Sequence, residues 1–157
     1  MLGKMMIGAK KVLFLCTGNS VRSQMAEGLL NALGSGHWKA QSAGIISSYV
    51  HPLAIQVMQE IGLDISKKTS KSMDQFTKQR FDYVITLCDD AAKVCPSFIG
   101  KGKRLHWPFE DPAAAVGTTE ERLAIFRRIR DEIKKKIEEF LKPESFEIPD
   151  AIASFKF

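Results

Sequence analysis

Hydrophobic residues along this chain come in two alternating rhythms. Short apolar runs over 11–15, 38–43, 81–87 and 104–107 have the length and bounding residues of strands. Between them the apolar positions fall at helical spacing. Met25 to Leu33 form one such stretch, and Leu53, Val57 and Ile61 share a stripe that Pro52 opens and Gly62 is placed to stop. Strands alternating with helices predict an α/β protein, an open parallel four-stranded sheet with helices on both faces. The polar stretch 66–74 reads as a loop leading into a short helix. The last helix is the best marked: Thr118 and Glu121 form a capping box, and Leu123, Phe126, Ile129, Ile133, Ile137 and Phe140 repeat at helical spacing behind it. That stripe is core, and Lys134 to Lys136 are a solvated face near the helix end.

A chain of 157 residues fits a single domain over 1–157, with its core over about 11–141. The extension over 143–157 carries three phenylalanines without a clear period and has no functional reading. No internal repeat interrupts the pattern. There is no apolar run long enough to span a membrane and no signal-peptide core, so a soluble, cytoplasmic protein is expected. The formal charge of +5 comes from dispersed lysines without interleaved aromatic residues, which argues against nucleic-acid binding and leaves a mild bias toward anions. Three cysteines are too few for a disulfide framework and suit a reducing compartment. Cys88 and Cys95 have no histidine nearby, so no metal site is expected, and the sequence gives no reason of its own to expect a bound cofactor.

The chemistry concentrates where the first strand ends. Cys16, Thr17, Gly18, Asn19, Ser20, Val21, Arg22 and Ser23 place a thiol and a guanidinium six positions apart between a strand and a helix. Loop N–H groups and a helix N-terminus converge there, which is an oxyanion site. A thiol in that positive field is expected as the attacking thiolate. The planar fork of Arg22 suits bidentate binding of a tetrahedral anion, and Gly18 and Asn19 tolerate the positive φ that a cradle requires. An isolated cysteine at a strand end would read as a core thiol, and Arg22 alone as a surface ion-pair partner; their joint spacing favours the functional reading. Asp111, ahead of Pro112, sits in an extended loop that can lean over the cradle or merely cap a turn.

The loop and its flanks resemble the low-molecular-weight protein tyrosine phosphatase family over about 11–141, and most nearly the thioredoxin-coupled arsenate reductases built on that fold. The resemblance is carried by Cys16 to Gly28, by Ser42-Ala43-Gly44-Ile45, by the stretch from Thr86 to Pro96 and by His106 to Pro112. It implies that Cys16 is the nucleophile, that Asp111 protonates the leaving oxygen, that Asn19 stabilises the loop and that Ser23 supports the Cys16 thiolate. For a reductase it further implies a relay through Cys16, Cys88 and Cys95, regenerated by thioredoxin, with arsenate or a phosphate-like oxyanion as substrate. The alternative is a low-molecular-weight tyrosine phosphatase or small phosphomonoester phosphatase that needs only Cys16, Arg22 and Asp111. Alanines 113–115 stand where the phosphatases usually carry an aromatic wall, Gln24 agrees with the reductases, and Val21 replaces a loop cysteine common to both. If the segment between Cys88 and Cys95 is helical, its ends lie about 10.5 Å apart, whereas a disulfide needs roughly 4.4 to 6.8 Å. That bond then requires unwinding. Some reductases also bind potassium; Asn19, Glu27 and Ser42 match three ligands, while Lys71 falls where an aspartate ligand would lie and supplies its own positive charge.

Overall fold

The computed structural model describes residues 8–94 and 102–142. Cys95 and the extension over 143–157 lie outside the described residues. Four parallel strands, β1 (Lys10–Cys16), β2 (Trp38–Gly44), β3 (Tyr83–Thr86) and β4 (Lys103–His106), pair in the order β2-β1-β3-β4. β1 is buried at every position from Val12 to Cys16, as expected of a central strand covered on both faces. Its neighbours are fixed by register: Cys16 lies opposite Gly44, and Leu15 opposite Thr86.

Helix α1 (Arg22–Leu33) follows β1, α2 (Pro52–Gln59) follows β2, α3 (Asp89–Val94) follows β3, and α4 (Thr119–Phe140) comes last. The expected short helix after the polar loop is a 3-10 turn over Met73–Phe76. Both reciprocal bonds of the capping box form at Thr118 and Glu121, and the buried face of α4 is the expected stripe from Leu123 to Ile137 together with Arg130, with Phe140 partly buried at its end. Arg130 reaches the Val57 carbonyl (2.8 Å) and Glu60 (3.0 Å), pinning α4 to the end of α2. Gly62 takes φ +82° at the stop of α2.

β3 is shorter than its apolar run suggests, because the Asp82 side chain accepts the Lys11 N–H at 2.7 Å where the ladder would begin. All four strands run toward one end, and chain order reverses between β1 and β3. In open α/β sheets, ligands bind at such a switch point, beyond the carboxyl ends of the strands. Cys16 and Cys88 both emerge there.

Candidate active site

The backbone after Cys16 turns sharply into α1. Asn19 adopts φ +49°, a left-handed conformation that asparagine tolerates better than most residues. Gly18 does not take a positive φ; its small size serves close packing instead, because a Cβ there would lie 3.2 Å from Ser48 Oγ. Ser48 and Ser70 both donate to the Gly18 carbonyl, at 2.8 and 2.9 Å. Gly44 is required by proximity, since a Cβ would come within 2.7 Å of both Asn19 N and Thr17 O. From the neighbouring strand end, Ile45 N donates to Cys16 O and Ile46 N to Thr17 O. The carbonyls of the loop are thus turned outward and tied to neighbouring segments. At Val21, the N-cap of α1, no side chain takes up the first N–H groups of the helix.

This geometry leaves a small cavity of about 160 Å³ lined by Cys16, Thr17, Gly18, Ser20, Val21, Arg22, Asp111 and Ala113. It brings together Cys16, the guanidinium of Arg22, Asp111 and most of the loop residues that the sequence marked as site candidates, but not Asn19 or Ser23, which lie behind it. Arg22 is buried; its Nη1 donates to Phe109 O at 3.1 Å, and its Nη2 lies 3.7 Å from Asp111 Oδ2. Asp111 itself is half exposed rather than enclosed by apolar groups. Its other oxygen caps the turn at Ala113 (3.0 Å), so it both caps a turn and faces the cavity. Glu110 next to it is held by Arg128 of α4 at 3.0 Å.

Cys88 is 8% exposed and Cys16 is 2% exposed. Thr17 Oγ1 lies 3.3 Å from Cys88 Sγ, which also accepts the Ala91 N–H at 3.4 Å in the first turn of α3. Cys88 Sγ therefore lies against Thr17, the loop residue that follows Cys16. His106 at the end of β4 joins Thr86 through Nδ1 (2.8 Å) and Asp89 through Nε2 (2.9 Å), tying the first residue of α3 to the sheet.

Behind Cys16 runs a buried polar network. Cys16 Sγ lies 2.8 Å from Ser23 Oγ; Asn19 Nδ2 donates to Ser23 Oγ (2.8 Å) and to Ser42 Oγ (2.9 Å). Ser42 donates to Glu27 Oε1 at 2.7 Å, and Lys68 Nζ meets Glu27 Oε2 at the same distance. Lys71 Nζ stands 3.8 Å from Glu27. Burial pushes the Lys71 amine below its ordinary value, against the opposing pull of Glu27. With two ammonium groups already on this carboxylate, the residues present do not fit a bound potassium ion. Lys68, Ser48, Ser70 and the donor role of Gln24 escaped the sequence reading. The available signal was the polar triplet Ser23, Gln24 and Glu27 within the first turns of α1, buried positions where an apolar stripe would be expected.

His51 is a further residue without a sequence signal. It is the N-cap of α2, where Nδ1 accepts the Leu53 N–H at 3.1 Å, and its ring packs against Phe126 and Tyr49. Burial first, then the charge of Arg122, lower its pKa, with Asp111 opposing. A lowered folded-state value means that the unfolded chain binds the proton more readily, so this contribution to stability is present above the ordinary value of 6.5 and is lost as pH falls below it. Chemical denaturation across that range is expected to show stability declining with acidification. His51→Asn, which keeps a capping side chain, is expected to flatten that part of the curve.

A strand, a thiol-to-arginine loop and a helix at the switch point of an all-parallel sheet define the architecture of the cysteine-dependent low-molecular-weight phosphatases. The family model for low molecular weight phosphotyrosine protein phosphatase matches residues 11–148, and the chain belongs to that family. Among curated relatives, the arsenate reductase of Halalkalibacterium halodurans is 52% identical over 131 residues, covering 83% of this chain and 94% of the relative. That of Bacillus subtilis is 49% identical over the same shares of both chains. A solved arsenate reductase in its phosphate-binding state superposes with a TM-score of 0.72 at 38% identity, covering 83% of this chain and 95% of its own. A low molecular weight protein tyrosine phosphatase from T. tengcongensis gives 0.69 at 27% identity, covering 85% and 99%.

Proposed function

We propose that this protein is an arsenate reductase that works through a thiol relay regenerated by thioredoxin in the cytoplasm. The observation that carries the reading is the second buried thiol, Cys88, in contact with Thr17 of the Cys16 loop. Hydrolysis has no use for it, whereas reduction must draw two electrons from thiols. The identity to relatives named arsenate reductase supports the same choice.

In this reading the loop amides and Arg22 hold the oxyanion, and the Cys16 thiolate attacks arsenic as Asp111 gives a proton to the departing oxygen. Cys88 then attacks Cys16 Sγ. The sulfur–arsenic bond breaks, its electron pair stays on arsenic, and arsenite leaves a Cys16–Cys88 disulfide. Cys95 attacks Cys88 in turn, freeing Cys16 and forming a Cys88–Cys95 disulfide that the dithiol of thioredoxin reduces. α3 is helical from Asp89 to Val94, so this last bond requires the helix to unwind. The test is purified protein with arsenate, thioredoxin, thioredoxin reductase and NADPH. Sustained, arsenate-dependent NADPH oxidation supports the reading, and its absence with active thioredoxin overturns it.

Phosphomonoester hydrolysis is a second reading, favoured by the placement of Asp111 and Arg22 on the same cavity as Cys16. The two activities share Asp111, which gives a separate prediction. Asp111→Asn removes the proton donor. Turnover is expected to fall by about 10²- to 10⁴-fold in both assays, while phosphate binding, measured by calorimetry, is expected to persist because Arg22 and the loop remain on the cavity.

A further inference from the structure

Every donor between the lysines of the 66–72 loop and the sulfur of Cys16 is fixed by another bond. The Asn19 amide is held from two sides, and at its oxygen Oδ1 accepts the Lys71 backbone N–H at 2.8 Å and Gln24 Nε2 at 2.9 Å. Asn19 Nδ2 therefore donates to both Ser23 and Ser42. Each serine, accepting from Asn19, has its own hydroxyl hydrogen left for the other neighbour. For Ser42 that neighbour is the Glu27 carboxylate at 2.7 Å; for Ser23 it is Cys16 Sγ at 2.8 Å. A sulfur that receives a hydrogen bond is favoured as the thiolate. Ser42 stays an acceptor for Asn19, and so anchors the nitrogen side of the amide beside Ser23, as long as Glu27 is an acceptor only, which is the property of an ionised carboxylate. Glu27 is buried, and a buried carboxylate without a counter-charge is strongly disfavoured. Its counter-charges are Lys68 and Lys71.

We propose that Lys68 and Lys71 are positioning residues for the Cys16 nucleophile: they neutralise Glu27, and the path Glu27–Ser42–Asn19–Ser23 then fixes the Ser23 hydroxyl on the Cys16 sulfur. The chain thereby carries its own cations at this point and draws none from solution. The inference rests on the reading of Cys16 as the nucleophile.

The experiment is alkylation of Cys16 by iodoacetamide in the full chain, followed peptide by peptide with mass spectrometry. Lys68→Met combined with Lys71→Met is expected to slow Cys16 alkylation at neutral pH by about ten-fold. The deficit closes in strongly alkaline buffer, where any cysteine is ionised. Ser42→Ala cuts the path while leaving the lysine pairing with Glu27 intact, and is expected to slow the reaction similarly. Lys68→Arg in the Lys71→Met background restores the rate. Potassium chloride, compared with an equal concentration of tetramethylammonium chloride, is expected to accelerate the double lysine variant and leave the parent unchanged. If the double variant fails to fold, Ser42→Ala decides by the same assay. A parent-like alkylation rate in a folded double variant or in Ser42→Ala overturns the proposal, as does acceleration of the parent by potassium. A Cys16 that is unreactive in the parent overturns the nucleophile reading itself, so the two failures are distinguishable.

Discussion

Cys16→Ser is expected to leave a folded protein that neither reduces arsenate nor hydrolyses phosphomonoesters, with turnover down on the order of 10⁴-fold or more. The substitution keeps a small side chain within hydrogen-bonding reach of Ser23 Oγ, which lies 2.8 Å from the sulfur in the parent. The fold therefore has little reason to change. The chemistry fails because an alcohol is not appreciably ionised, and no general base among the described residues lies against this atom to activate it: its neighbour is the hydroxyl of Ser23. The check is a steady-state assay paired with circular dichroism and phosphate calorimetry. Phosphate binding retained beside lost turnover places the defect in the attack itself. Substantial residual turnover removes Cys16 from its assigned role.

Cys95→Ser separates the two activities. The first two thiol steps use Cys16 and Cys88, so one equivalent of arsenate is expected to be reduced and a Cys16–Cys88 disulfide to accumulate. Recycling by thioredoxin then stops or becomes very slow, because the final disulfide cannot form. Phosphomonoester hydrolysis, which calls on Cys16, Arg22 and Asp111, is expected to persist. Peptide mass spectrometry after a single arsenate turnover, together with the NADPH-coupled assay, reads both effects. If the variant recycles with thioredoxin as fast as the parent, the three-thiol relay is wrong.

What the sequence disclosed followed the range of the forces involved. The strands, the capping box at Thr118 and the stop at Gly62 are local, decided by residues within a turn or two, and apart from the shorter β3 they stand close to where the pattern predicts them. The loop from Cys16 to Arg22 was legible as a candidate site because the spacing of its thiol and guanidinium, and its place between a strand and a helix, are local features. The lysine and serine partners of that loop were not. Asn19 takes the backbone N–H of Lys71, Gly18 accepts from Ser48 and Ser70, and Gln24 reaches Thr69, all contacts made between segments far apart in the chain. Gly18 illustrates the limit: its type predicted a need for unusual backbone angles, but the structure spends it on clearance from a serine that no local pattern ties to it. Asp111 was readable as a site residue, yet its pairing with Arg22 depends on how the loop after β4 crosses the cavity.

The end of α4, at Phe140, has a practical consequence. The chain holds two tryptophans, Trp38 and Trp107, and both rings lie against Phe140, at 4.9 and 5.3 Å. Trp107 is also the residue from which the chain sets out toward Phe109, whose carbonyl Arg22 holds, and Asp111. Replacing Trp38 by phenylalanine leaves a single tryptophan, at the root of that loop, which can be excited selectively beside the two tyrosines. Its emission, quenched or released as the loop shifts, would let oxyanion binding and each redox state be followed in real time without any attached label.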